Sequence, residues 1–124
     1  MRLRTNEFDQ AVDRAVRRIP EEIRSHLENV VITVLARPTR DMLEDVGAPP
    51  GETLLGLYQG AALTERSFFD PVEYPDTIFV FQEPLEEMCE TLEELEKEIE
   101  ITVVHEVAHF LGIEEDRLAE LGYE

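Results

Sequence analysis

Hydrophobic positions near the start of the chain recur with helical spacing. In EFDQAVDRAVRRI, Phe8, Ala11, Val12, Ala15, Val16 and Ile19 fall on one face of a predicted helix, with Thr5 or Asn6 available as its cap. Pro20 interrupts that pattern and suits the first turn of a second short helix, PEEIRSHLENV. The run VVITVLA, residues 30–36, is β-branched and apolar almost throughout, which predicts a strand covered on both faces and central in its sheet. Gly47, Pro49, Pro50 and Gly51 then mark DMLEDVGAPPGET as a loop. LLGLYQG and AALTERSFF predict two strands meeting near Gly60, and TIFVFQ, residues 77–82, predicts another after the turn-forming Tyr-Pro-Asp. From Pro84 the pattern is helical again through PLEEMCETLEELEKEIEITVVHEVAHFLG, with a break near Glu90–Thr91, where Thr91 and Glu94 have capping-box spacing. The many glutamates there read as a solvated outer face, and EEDRLAELG predicts a short closing helix. The order implies an α+β fold, a small mixed β-sheet packed with helices.

Composition narrows the functional classes. A chain of 124 residues that is 43% hydrophobic is expected to form one domain, 1–124, with one core. The formal net charge of −18, with Lys97 the only lysine, sets up a field that repels nucleic acid and anionic membranes and disfavours strongly acidic substrates. Cys89 is the only cysteine, so no disulfide can form within the chain, and it reads as a small packing residue. The first residues carry no signal-peptide pattern, and no run approaches the ~20 apolar residues of a membrane span. A cytoplasmic protein is expected.

The chemistry concentrates in TVVHEVAHFLGIEED. A four-residue separation places His105 and His109 on one helical face, about one turn apart, where both imidazoles can address a common cation. Leu92, Leu95, Ile99 and Thr102 lead toward this pair and predict that it lies at the inward-facing edge of the helix. Glu106 stands next round the helix, within reach of a water beside such a cation. Zinc suits nitrogen and carboxylate ligands and keeps a position open when three protein groups bind it. Gly112 is placed to end the helix in a left-handed cap, with Ile113 packing back. The reversal that follows would carry one carboxylate of Glu114, Glu115 and Asp116 toward the histidines. His26, the third histidine, has no partner within its own segment and reads as structural or exposed.

HEVAHFLGIEE resembles the HExxHxxGxxE pattern of zincin metallopeptidases. LLGLYQGAALTERS, TIFVFQEP and ITVVHEVAHFLGIEEDRLAELGY together resemble a family of small bacterial proteins with a minimal zincin-like domain, over nearly the whole chain. The resemblance implies a zincin-like α+β fold with His105 and His109 as metal ligands, Glu115 as third ligand, Glu106 as catalytic glutamate and Zn2+ as cofactor. Asp116 is the other candidate for the third position. The chain departs from the metzincin pattern in having Glu115 where a histidine is usual, and no methionine follows His109. Only fifteen residues follow His109, which limits the cleft.

The implied reaction is hydrolysis of a peptide or protein substrate by a metal-activated water, with Glu106 as general base. Tyr58, Arg117 and Tyr123 are candidates for a second oxyanion donor, each also readable as a surface or packing residue. Either LLGLYQG or TIFVFQ could offer a sheet edge to an extended substrate, and Thr64–Arg66 is a polar turn, ion pair or site element. The alternative is a non-catalytic zincin-like module that binds metal or protein; Glu106 argues against it, since a structural zinc site has no use for that carboxylate.

Overall fold

In a computed structural model, residues 1–60 and 76–123 are described. The apolar stripe of the first segment forms α1 (Thr5–Arg17), burying Phe8, Ala11, Val12 and Ala15. Its cap differs from expectation. Arg4 is the N-cap, and the Glu7 carboxylate accepts the Arg4 backbone N–H at 3.0 Å, so Thr5 and Asn6 lie inside the helix. Pro20 caps α2 (Glu21–Arg24), which tightens into a 3-10 turn over Ser25–Leu27, so the second helix is shorter than its apolar spacing predicted. The expected loop after residue 40 begins with a helix, α3 (Arg40–Asp45). Thr39 caps it by accepting the Met42 N–H at 3.1 Å, a local signal that the later Gly and Pro residues outweighed in the sequence reading.

The strands are β1 (Val30–Leu35), β2 (Gly56–Gln59) and β3 (Asp76–Phe81), in the order β1-β3-β2. β3 pairs parallel with β1 and antiparallel with β2, giving a mixed sheet. The central strand is therefore TIFVFQ, and VVITVLA lies at an edge. Val31 is 46% exposed, which corrects the expectation that β1 is covered on both faces. Register puts Ile32, Val34, Ile78, Val80, Gly56 and Tyr58 on one face of the sheet. Ile78 and Val80 are fully buried there, in one core with α1 and the long helix described next. AALTERSFF and Thr64–Arg66 lie outside the described residues.

After β3 come α4 (Gln82–Glu87), α5 (Leu92–Leu111) and α6 (Glu115–Glu120). The break falls where expected: the Thr91 hydroxyl accepts the Glu94 N–H at 3.1 Å, while Glu94 reaches back to the Glu90 N–H at 3.1 Å. α5 packs against both α1 and the sheet, and Leu95, Ile99, Val103 and Val104 are wholly buried. Burial on two sides corrects the expectation of a purely solvated glutamate face. Glu93 and Glu94 are exposed, but Glu96 and Glu100 are buried. Each has its charge met: Arg14 of α1 and Arg18 at its C-cap converge on Glu96, and Lys97 and Tyr123 on Glu100. Cys89 is buried and unbonded, a packing residue as expected. Among the described residues, no helix is long and apolar enough to cross a membrane.

Candidate metal and catalytic site

α5 ends as its sequence dictates. Gly112 adopts φ 72°, ψ 27°, the left-handed conformation that costs a glycine nothing, and the Ile113 N–H returns to the Ala108 carbonyl at 2.8 Å. That reversal starts α6 directly and sets its first turn across from the last turn of α5. The result is a cleft of about 690 Å³ whose lining includes His105, His109, Glu114, Glu115, Asp116 and Tyr123.

Both histidines are exposed and line this cleft, and Leu92, at the start of the helix and outside the cleft lining, is exposed too. The inward line of α5 is Leu95, Ile99 and Thr102, and it leads to Glu106, not to the imidazoles. The inward-facing edge expected for the histidines thus belongs to the carboxylate between them. The sequence spacing was one residue from resolving this, since 95, 99, 102 and 106 keep the helical repeat.

Glu106 is turned toward β2. Its Oε2 accepts the Tyr58 backbone N–H at 3.1 Å. Desolvation raises its pKa above the ordinary carboxyl value, opposed by the Tyr58 N–H and by the charges of His109 and His105. Raised basicity with one oxygen pinned describes a carboxylate fit to hold and release a proton. It borders a second cavity of about 460 Å³ with Leu54, Leu57, Tyr58 and Phe110. His109 borders both cavities, so the two open on either side of one imidazole.

Two contacts that the sequence reading missed hold β2 against the helix. Gly56 lies so close that an added Cβ would stand 2.6 Å from Thr102 Cγ2 and 3.6 Å from Glu106 Cγ. The Tyr58 ring stacks on Phe110 with centroids 4.0 Å apart. The signal available for the first was a glycine between leucines inside a strand, a mark of close backbone approach. Gly56→Ala is expected to cost about 1–3 kcal/mol by overpacking and to shift β2 away from Glu106. Chemical denaturation of the variant checks this, and unchanged stability would show that the strand yields freely.

The candidate oxyanion donors are all engaged. Tyr58 Oη donates to Asp76 Oδ2 at 2.7 Å, and burial followed by this bond pushes its pKa up to about 12. Tyr123 Oη donates to Glu100 Oε2 at 2.8 Å. Arg117 is exposed and pairs with Glu22 and Glu120. Of the two proposed substrate edges, TIFVFQ is interior to the sheet. At β2 the Phe81 N–H bonds to the Leu55 carbonyl, so Leu55 and Leu57 address β3 while Gly56 and Tyr58 turn their peptide groups outward. The outward Tyr58 N–H is already given to Glu106. His26 is exposed in the turn after α2, as expected.

Does this donor set fit a zinc ion? Among the described residues, no three His, Cys, Asp or Glu side chains are gathered tightly enough to enclose a metal ion. The donors are nevertheless of the right kind and on facing walls: two imidazoles one turn apart on α5, and Glu115 with Asp116 opening α6, all lining one cleft.

The pattern of the zincin-like metallopeptidases matches residues 27–123. A comparison with curated proteins returns no match. Among solved structures, a conserved hypothetical protein from Thermo thermophilus is similar with a TM-score of 0.55 and 23% sequence identity, over 94% of this chain and 98% of that one. That likeness establishes a shared fold.

Proposed function

The chain belongs to the zincin-like metallopeptidase family, and from that premise we propose that it is a zinc-dependent peptidase with His105, His109 and Glu115 as ligands and Glu106 as general base. The observation that carries the reading is the division of labour at the end of α5. Two exposed imidazoles face an acid-lined cleft, and the carboxylate between them is half-buried, raised in pKa and pinned by a backbone N–H.

A zinc ion bound there would supply Lewis acidity at the scissile carbonyl and make the neighbouring water more acidic. With Oε2 held by Tyr58, Glu106 takes that water's proton on Oε1 and passes it to the leaving amine. The apolar walls around Glu106, Leu57, Tyr58 and Phe110 among them, keep bulk water away from the carboxylate and receive an apolar side chain of the peptide. Net charge selects among peptides, since a chain at −18 favours neutral or basic substrates over acidic ones.

The test is hydrolysis of an unstructured peptide mixture by zinc-loaded protein, before and after chelation. Cleavage that ceases on chelation and returns with zinc is the expected outcome. Stoichiometric zinc with no cleavage of any peptide would favour the non-catalytic module instead.

A further inference from the structure

The buried pair Tyr123–Glu100 stands outside the chemistry just described. Both residues are almost wholly enclosed, at 5% and 4% exposure, and a carboxylate so buried persists only where its oxygens are bonded. Tyr123 Oη donates to Glu100 Oε2 at 2.8 Å, and Lys97 Nζ reaches the same oxygen at 3.2 Å. The Lys97 ammonium also lies 5.5 Å from the centre of the Tyr123 ring.

What this pair joins matters more than its strength. Glu100 is on α5, five residues before His105, roughly 7.5 Å lower along the axis. Tyr123 follows α6, the short helix whose first turn carries Glu115 and Asp116. The chain turns back after α6 through Gly122, at φ 93°, and the Tyr123 N–H bonds to the Leu118 carbonyl at 2.8 Å. The phenol is thereby fixed to α6 at one end and to the body of α5 at the other, and it lines the same cleft as both histidines. A helix of six residues has little stability of its own, so its position rests on Leu118, which is buried in the core, and on such ties. A second tie, Arg117 to both oxygens of Glu22 at 2.6 Å, is exposed and correspondingly weak.

We propose that Tyr123 is a positioning residue: bonded to Glu100, it holds the acidic turn of α6 opposite His105 and His109, so zinc affinity depends on a phenol that is not itself a ligand. The proposal rests on the metal-site reading above. It assigns the Tyr123 hydroxyl to metal affinity, not to the oxyanion role the sequence left open.

The experiment measures Zn2+ affinity by chelator competition and the visible spectrum of the Co2+-substituted full-length protein. It compares wild type, Tyr123→Phe, Glu100→Leu, Glu100→Gln and His109→Ala, with circular dichroism on each. Tyr123→Phe should remain folded, lose about tenfold to a hundredfold in affinity and show an altered Co2+ spectrum. Glu100→Leu, which removes the acceptor and leaves the phenol, should show the same loss. Glu100→Gln keeps an oxygen for the phenol and should bind metal nearly as wild type does. A uniform loss of stability cannot produce that rescue. Wild-type affinity and spectrum in folded Tyr123→Phe or in Glu100→Leu would overturn the proposal, and so would a loss in Glu100→Gln equal to that in Glu100→Leu. If wild type fails to bind, or His109→Ala binds as wild type does, the underlying metal-site reading falls and the proposal with it. Normal wild-type binding lost in His109→Ala, with Tyr123→Phe unaffected, removes the positioning role alone.

Discussion

Glu106→Gln is expected to leave zinc content unchanged and to lower kcat/KM for peptide hydrolysis by about 10²–10⁴, the usual contribution of a positioned acid–base group. The amide is nearly the same shape as the carboxylate, and its oxygen can accept the Tyr58 N–H, so the contact between α5 and β2 survives. Half-buried beside Leu57 and Phe110, a neutral amide is also easier to desolvate than an ionised carboxylate. The variant should therefore melt no lower than wild type. What it lacks is the ability to take up a proton. Parallel measurement of metal content, melting temperature and kcat/KM separates these effects. Undiminished turnover with intact zinc would remove Glu106 from the chemistry.

How far that site was legible depended on the distance in sequence between cause and effect. The histidine pair, the Thr91 cap and the Gly112 reversal are local, each set within about five residues by helical geometry. The cap and the reversal stand in the structure as expected, while the histidines line one cleft but are exposed and not at the inward-facing edge. The orientation of Glu106 depends instead on Tyr58, 48 residues away, and on the space left by Gly56. Nothing in HEVAHFLG encodes that partner. Sheet order failed for the same reason: VVITVLA is as apolar as a central strand, yet β3 takes the centre because it pairs on both sides. The burial of Glu96 follows from Arg14 of α1 and Arg18 at its C-cap, four residues apart, which become its partners only once α1 lies along α5. Period within a segment predicted its element well. Which face met which neighbour was a tertiary question.

The other large expected effect is on metal binding itself. His109→Ala should abolish detectable zinc retention after dialysis and, with it, hydrolysis. The side chain is exposed, so its removal opens no core cavity, and alanine suits the last turn of a helix better than histidine does. The metal-free variant should therefore melt close to metal-free wild type. The contrast comes on adding zinc. A ligand that binds only the folded state stabilises it by RT ln(1 + [L]/Kd), about 2.7 kcal/mol when free zinc is 100 times Kd. Wild type should show that rise and lose it on chelation, whereas His109→Ala should melt at one temperature throughout. His26→Ala removes an exposed imidazole from the turn after α2 and serves as the control, since it should follow wild type. Because His109 borders both the acidic cleft and the cavity around Glu106, no other single residue among those described links the two so directly. Equal zinc-induced stabilisation of wild type and His109→Ala would place the metal elsewhere and leave Glu106 with nothing to act beside.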